Sequence, residues 1–308
     1  MTTSMLVSPT AGSAGASDGG GGEQAVLRAE GLELRYDRDP VIEGLSVTIP
    51  PGRVTTIVGP NACGKSTLLR ALARLLAPAA GRVLLGEGDI ARQRTREVAR
   101  RLTLLPQSPI APDGITVAEL VSRGRYPYQS LFRAWSSEDA LAVAAAMEAT
   151  GVTEVAERPV NQLSGGQRQR VWVAMALAQD TPLLLLDEPT TYLDLSHQIE
   201  VLDLLRELNR ETGRTIVLVL HDLNLASRYS DHLIAMAAGC IEAEGAPGEV
   251  ITEAMVRRVF GLETAIVPDP VSGTPLVVPI GRFGAGKTAR RNDLEGLATG
   301  RTGELVKD

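Results

Sequence analysis

Val54-Thr-Thr-Ile-Val-Gly-Pro-Asn-Ala-Cys-Gly-Lys65-Ser-Thr-Leu-Leu-Arg-Ala-Leu-Ala-Arg-Leu-Leu76 is the stretch from which the rest of the chain can be placed. Val54 to Val58 is a β-branched run that reads as a buried strand, and Gly59 to Ser66 fits G-x-x-x-x-G-K-[ST]. Leu68, Leu69, Leu72, Leu75 and Leu76 then recur at helical spacing, with Arg70 and Arg74 between them and Pro78 and Gly81 as the stop. Strand, glycine loop and helix come in the order that phosphate binding requires. Loop amides curl round the phosphates and the helix N-terminus adds partial positive charge. The candidate nucleotide-binding residues are therefore Gly59, Pro60, Asn61, Ala62, Cys63, Gly64, Lys65, Ser66 and Thr67. Lys65 is placed to reach the β- and γ-phosphates, and the Ser66 hydroxyl a Mg²⁺ ion.

A second match, Gly281-Arg-Phe-Gly-Ala-Gly-Lys-Thr288, supplies a control. The residues after Thr288 have no apolar period and soon meet another glycine, so this match is read as coincidence in a tail. Cys63 is read as a small loop residue rather than a redox switch.

The 308 residues, 44% of them hydrophobic, suffice for one large α/β domain or two small ones. A formal charge of −6 gives no basic field, so no nucleic-acid partner is expected. Two distant cysteines suit a reducing compartment, and no apolar run approaches bilayer-spanning length.

Residues 1–25, rich in Gly, Ala and Ser, are expected to form a disordered leader, and 282–308 a flexible tail around a 26–281 domain. Short strands are expected about a turn at Asp37-Arg38-Asp39-Pro40, and Tyr36 reads either as a half-buried strand tyrosine, the commoner case, or as an aromatic that stacks on a base. Ile90–Arg101 reads as an arginine-studded helix and Leu102–Leu105 as a strand leading to Gln107. Residues 108–160 read as an inserted helical lobe, with a capping start at Ser136. Leu163-Ser-Gly-Gly-Gln167 opens a further helix, Leu183–Leu186 is a central strand ending in Asp187-Glu188, and Thr215–Leu220 a strand ending at His221.

In an open parallel sheet, ligands sit at the carboxyl ends of the strands. The phosphate loop, Gln107, Asp187-Glu188 and His221 all stand there. Asp187, Ser66 and Gln107 would supply oxygen ligands to Mg²⁺. Glu188 is the candidate to polarise the attacking water, and His221 to contact the γ-phosphate. Ser164, Gly165, Gly166 and Gln167 make a second anion site that one chain's own nucleotide does not need.

These motifs resemble the ATP-binding subunit of an ATP-binding-cassette (ABC) transporter. The resemblance implies an α/β P-loop NTPase of ABC-ATPase type: a RecA-like core, an antiparallel β subdomain and an inserted helical subdomain. It implies a head-to-tail dimer of two copies, with Leu163–Gln167 as the signature, Gln107 as the Q-loop, Leu193-Asp194 in the D-loop and His221 as the switch histidine. It also implies ATP and Mg²⁺ as ligands, permease subunits docking near residues 108–129, an indirect substrate-binding protein and a peripheral place on the cytoplasmic membrane face. Arg123-Gly-Arg-Tyr-Pro-Tyr-Gln129, His221-Asp-Leu-Asn and Asp269-Pro-Val-Ser-Gly-Thr-Pro look like the ferric-siderophore importers; importers of haem, cobalamin or metal ions, and non-transport cassettes, are the alternatives.

Overall fold

The structure, a computed structural model, describes residues 27–37, 39–129 and 135–281. The expected leader and tail, with most of the second glycine-lysine match, lie outside the described residues. The N-terminal part carries β1 (Leu27–Tyr36), β2 (Asp39–Ile49), β3 (Val54–Val58), α1 (Lys65–Leu72), β4 (Ala80–Leu85), β5 (Gly88–Asp89), α2 (Thr95–Ala99) and β6 (Leu102–Leu105). Helices α3 (Val117–Ser122), α4 (Ser137–Ala149) and α5 (Gly165–Ala178) come next. Then come β7 (Leu183–Asp187), α6 (Leu195–Thr212), β8 (Thr215–Val219), α7 (Leu223–Tyr229), β9 (His232–Ala237) and β10 (Cys240–Gly245). The described chain closes with α8 (Pro247–Val250), α9 (Glu253–Phe260), β11 (Thr264–Pro268) and β12 (Pro275–Pro279).

Strand alternation explains how the layers assemble. Ile57, Leu185, Val217 and Ile234 face one core, shared with α1 and the antiparallel sheet. Their neighbours Val58, Leu186, Leu218 and Ala235 face a second core with α5 and α6. A sheet buried on both sides is the expected home of uninterrupted apolar strands. Its order is β10-β9-β3-β8-β7-β6, with β9, β3, β8, β7 and β6 parallel. The phosphate-loop strand thus lies between β9 and β8, and the loops after β3, β6, β7 and β8 open at one edge. Beside it stand an antiparallel sheet, β2-β1-β4-β5, and the hairpin β11-β12.

Three expectations need correction. β1 and β2 are 10 and 11 residues long rather than short, and Pro40, expected in the turn, pairs with Arg35; register shifts after Ala29, Leu32 and Leu34 let the long pair bend. The helix after the phosphate loop stops at Leu72, because Arg74 turns left-handed (φ 63°) and its guanidinium bonds Gln93 O; Leu75 is left exposed. Only Thr95–Ala99 of Ile90–Arg101 is helical. Asp89 Oδ1 accepts from Ala91 N, and the Gln93 amide caps the carbonyls of Leu85 and Gly88, so local side chains divert the backbone.

Between β6 and β7 the regular elements are helical, and α3, α4 and α5 pack on one another. Ser136 starts α4 with the expected capping box. A 3-10 segment, Arg123–Tyr128, is fixed to the end of α5 in two ways. A Cβ on Gly124 would stand 2.4 Å from Met175 O, so the two backbones touch. Arg125, 4% exposed, pairs with fully buried Asp139 at 2.9 Å, donates to Ala178 O and lies 4.0 Å from the Tyr128 ring centroid. Removing one member of such a pair strands a buried charge. Asp139→Ala is expected to cost about 3–5 kcal/mol, read as a lower urea midpoint. Among the described residues no helix is long and apolar enough to cross a membrane.

Candidate active site

The sharp turn from β3 into α1 depends on Gly59. A Cβ there would stand 2.2 Å from Met236 O on β9 and 2.8 Å from Cys63 Sγ. Gly64 (φ 104°) and Ala62 (φ 61°) complete the curl with left-handed backbone. The Lys65 ammonium, 5% exposed, folds over this loop and donates to Gly59 O at 2.9 Å and Pro60 O at 2.8 Å. Both bonds satisfy a buried cation that is placed to exchange them for phosphate oxygens. Burial pushes the Cys63 thiol up despite Lys65 beside it, so it is a neutral thiol at ordinary pH.

A cavity of about 540 Å³ opens over the loop, lined by Asn61, Ala62 and Gly64–Thr67 and closed by Tyr36, Gln107, Glu188 and His221. Tyr36 is 44% exposed, with its hydroxyl 3.3 Å from the Arg70 guanidinium. Its ring is open to a flat partner such as a base.

Two adjacent carboxylates at the end of β7 have different surroundings. Asp187 accepts from Ser66 Oγ at 2.8 Å through Oδ1, while its Oδ2 is buried without a hydrogen-bond partner among the described residues. Burial pushes its carboxyl up, and the Ser66 hydroxyl only partly offsets this. An orphaned, desolvated carboxylate oxygen beside a serine hydroxyl fits a hard divalent cation such as the Mg²⁺ expected there. Glu188, 7% exposed, sits at φ 54°, a strained backbone for a non-glycine residue. Its Oε2 accepts from Gln107 Nε2 at 2.7 Å and from Thr191 Oγ1 at 3.0 Å, and its Oε1 lies 2.6 Å from His221 Nε2.

Two groups expected at separate strand tips, Gln107 and His221, thus converge on the carboxylate expected at a third. Gln107 reaches it through the amide nitrogen, which keeps the amide oxygen for a cation. Thr191 is a participant that sequence reasoning missed; it stands three residues past Glu188, in a turn closed by Thr191 N to Glu188 O.

Ser164 to Gln167 do not line this cavity. Ser164 caps α5 with a full capping box, leaving Ser164 and Gly165 exposed at the helix N-terminus. Nearby, Tyr192 is 80% exposed at φ 68° and Leu195 is 69% exposed, while Leu193 is buried. Asp194 caps α6 through His197 N, and that bond, with the His197 and Ser196 side chains, holds its carboxyl down to about 2. Beside residues 108–129, a groove of about 670 Å³ is lined by Ile115, Arg123, Tyr126, Gln129 and Trp135 among others.

The family model described as ABC transporter matches residues 42–191. The ferric enterobactin transport ATP-binding protein FepC of Escherichia coli (strain K12) is 57% identical over 258 residues, 84% of this chain and 95% of that protein. The achromobactin transport ATP-binding protein CbrD of Dickeya dadantii (strain 3937) is 57% identical over 251 residues, 82% of this chain and 93% of that protein. Among solved structures, the dimeric structure of MJ0796, a bacterial ABC transporter cassette, superposes with a TM-score of 0.65 at 28% identity, covering 71% of this chain and 98% of that one.

Proposed function

The chain belongs to the ABC transporter family as one of its ATP-binding proteins, and from that premise we propose that it hydrolyses ATP to drive ferric-siderophore import through a membrane permease. The observation that carries the hydrolytic half is the Glu188 carboxylate, held by Gln107, Thr191 and His221 beside the Ser66–Asp187 pair. The cargo half is supported by relatives whose names specify siderophores.

Lys65 and the loop amides bind the phosphates, and Tyr36 stacks on the adenine. Ser66, Asp187 and the Gln107 oxygen would hold Mg²⁺, which when bound would supply positive charge against the phosphates. Glu188 orients a water in line with the γ-phosphorus and accepts its proton, while His221 contacts the γ-phosphate. The second nucleotide contact comes from Ser164–Gln167 of another copy, so two chains enclose two ATP molecules head to tail. ATP favours the closed pair because it binds that form more tightly, and hydrolysis reopens it. The groove near residues 108–129 receives the permease, which links the chain to the cytoplasmic membrane face and, indirectly, to a substrate-binding protein.

Asp187 allows a test of the metal reading that does not depend on turnover. A raised carboxylate pKa means that the folded state binds the proton more tightly than the unfolded chain. Its ionisation therefore subtracts stability as pH rises above the unfolded value. Asp187→Asn is expected to raise the melting temperature of the nucleotide-free protein at neutral pH. It should also erase the Mg²⁺ dependence of ATP affinity, measured by titration with and without Mg²⁺.

The cargo is tested by deleting the gene and following uptake of labelled ferric siderophore. Loss of uptake, restored by the wild-type gene, supports the proposal. Intact siderophore uptake with lost haem or cobalamin uptake would replace the cargo, and purification with ribosomes instead of a permease would replace the whole reading.

A further inference from the structure

In the C-terminal hairpin Ile266 stands opposite Val277. Hydrogen bonds from Ile280 N to Glu263 O and from Asp269 N to Thr274 O set the phase of the ladder, so Val277 turns its N–H and C=O away from β11. Both groups meet one side chain. Val277 N donates to Asn224 Oδ1 at 2.7 Å, and Asn224 Nδ2 donates to Val277 O at 3.3 Å. The Asn224 amide takes the place of a third strand, and with Val277 only 6% exposed, water is a poor substitute for it.

Asn224 is also the second residue of α7. Its backbone N and that of Leu225 are capped by Asp222 Oδ1 at 2.7 and 2.9 Å. The residue just before that cap is His221, whose side chain is 46% exposed and meets Glu188. So exposed an imidazole takes its position chiefly from the backbone that carries it. That backbone runs directly into the α7 start that the hairpin holds.

We propose that Asn224 is a positioning residue for His221: by clipping the first turn of α7 to β12 it fixes the backbone that aims the imidazole at Glu188. The proposal rests on the ATPase reading above and deepens it. It makes the hairpin part of the hydrolytic apparatus, although neither strand lines the nucleotide cavity.

The test is a double-mutant cycle in the full chain with its permease. Asn224→Ala is expected to lower kcat on the order of ten-fold while KM for ATP stays within about two-fold, since small misplacements of a reacting group cost rate more than binding. In a His221→Ala background the same substitution should add nothing, because a residue acting through His221 has nothing left to position. Asn224→Asp, which keeps the acceptor for Val277 N, should lie between wild type and alanine, and it carries the cycle if the alanine variant does not fold. A full effect of either variant in the His221→Ala background would overturn the proposal, as would wild-type kcat with the clip removed. A wild-type complex that hydrolyses no ATP would instead remove the ATPase reading, and this proposal with it.

Discussion

Replacing Glu188 by glutamine is expected to leave ATP affinity near that of wild type and to lower steady-state hydrolysis on the order of 10²–10⁴-fold, the range a positioned general base contributes. The structure indicates why the two effects separate. Glu188 closes the cavity but sits apart from the phosphate cradle of Lys65 and the loop amides, so binding keeps its main contacts. Glutamine is nearly isosteric and can still accept from Gln107 or Thr191, so the fold of the turn survives. It cannot take a proton from water. Equilibrium ATP binding together with a phosphate-release assay checks both halves. Unchanged release would move the base elsewhere.

The second large effect concerns a residue that does little inside its own chain. A Cβ on Gly165 would meet only Tyr192 O, at 3.9 Å, which is ordinary contact. Gly165 opens α5, where glycine is a poor helix former by about 1 kcal/mol relative to alanine. A glycine that costs helix stability and relieves no internal crowding is explained by something approaching from outside. Gly165→Leu is accordingly expected to leave the melting temperature of the monomer unchanged or raised by at most about 4 °C, since a gain in helix propensity is worth at most about 1 kcal/mol. It should nevertheless abolish ATP-dependent dimerisation and, with it, turnover. Sedimentation of the Glu188→Gln background with Mg-ATP, with and without the substitution, is the measurement. An ATP-bound dimer that persists would remove the second nucleotide contact from Ser164–Gln167.

Much of this arrangement was legible in the chain. Leu183–Leu186 and Thr215–Leu220 read as buried strands because nothing polar interrupts them, and their polar ends, Asp187-Glu188 and His221, are then strand-tip groups. The starts of α4 and α5 were legible because caps are local chemistry, written within four residues at Ser136 and Ser164. The features that escaped were set by side-chain contacts that no periodicity or motif marks. The end of α1 depends on Arg74 reaching Gln93, and the loss of helix after Ile90 depends on Gln93 reaching back to Leu85 and Gly88. The convergence of Gln107 and His221 on Glu188 joins residues 81 and 33 positions from it, a pairing that no local pattern encodes. Asn224 looks like an ordinary helical asparagine until the strand 53 residues later is placed beside it.

The contact of Gly124 with Met175 O, together with Arg125 on Ala178 O, has a mechanical meaning for α5. That helix has 14 residues, so its ends lie about 20 Å apart at 1.5 Å per residue. Its far end carries Ser164 as cap, and its near end is pressed against the wall of the groove proposed to receive the permease. A tilt of about 10° imposed there would swing the distant tip through an arc of about 3.5 Å, more than the length of a hydrogen bond. The helix therefore has the proportions of a lever arm, long enough for a small push at the groove to make or break the grip proposed for Ser164–Gln167 on a neighbour's nucleotide.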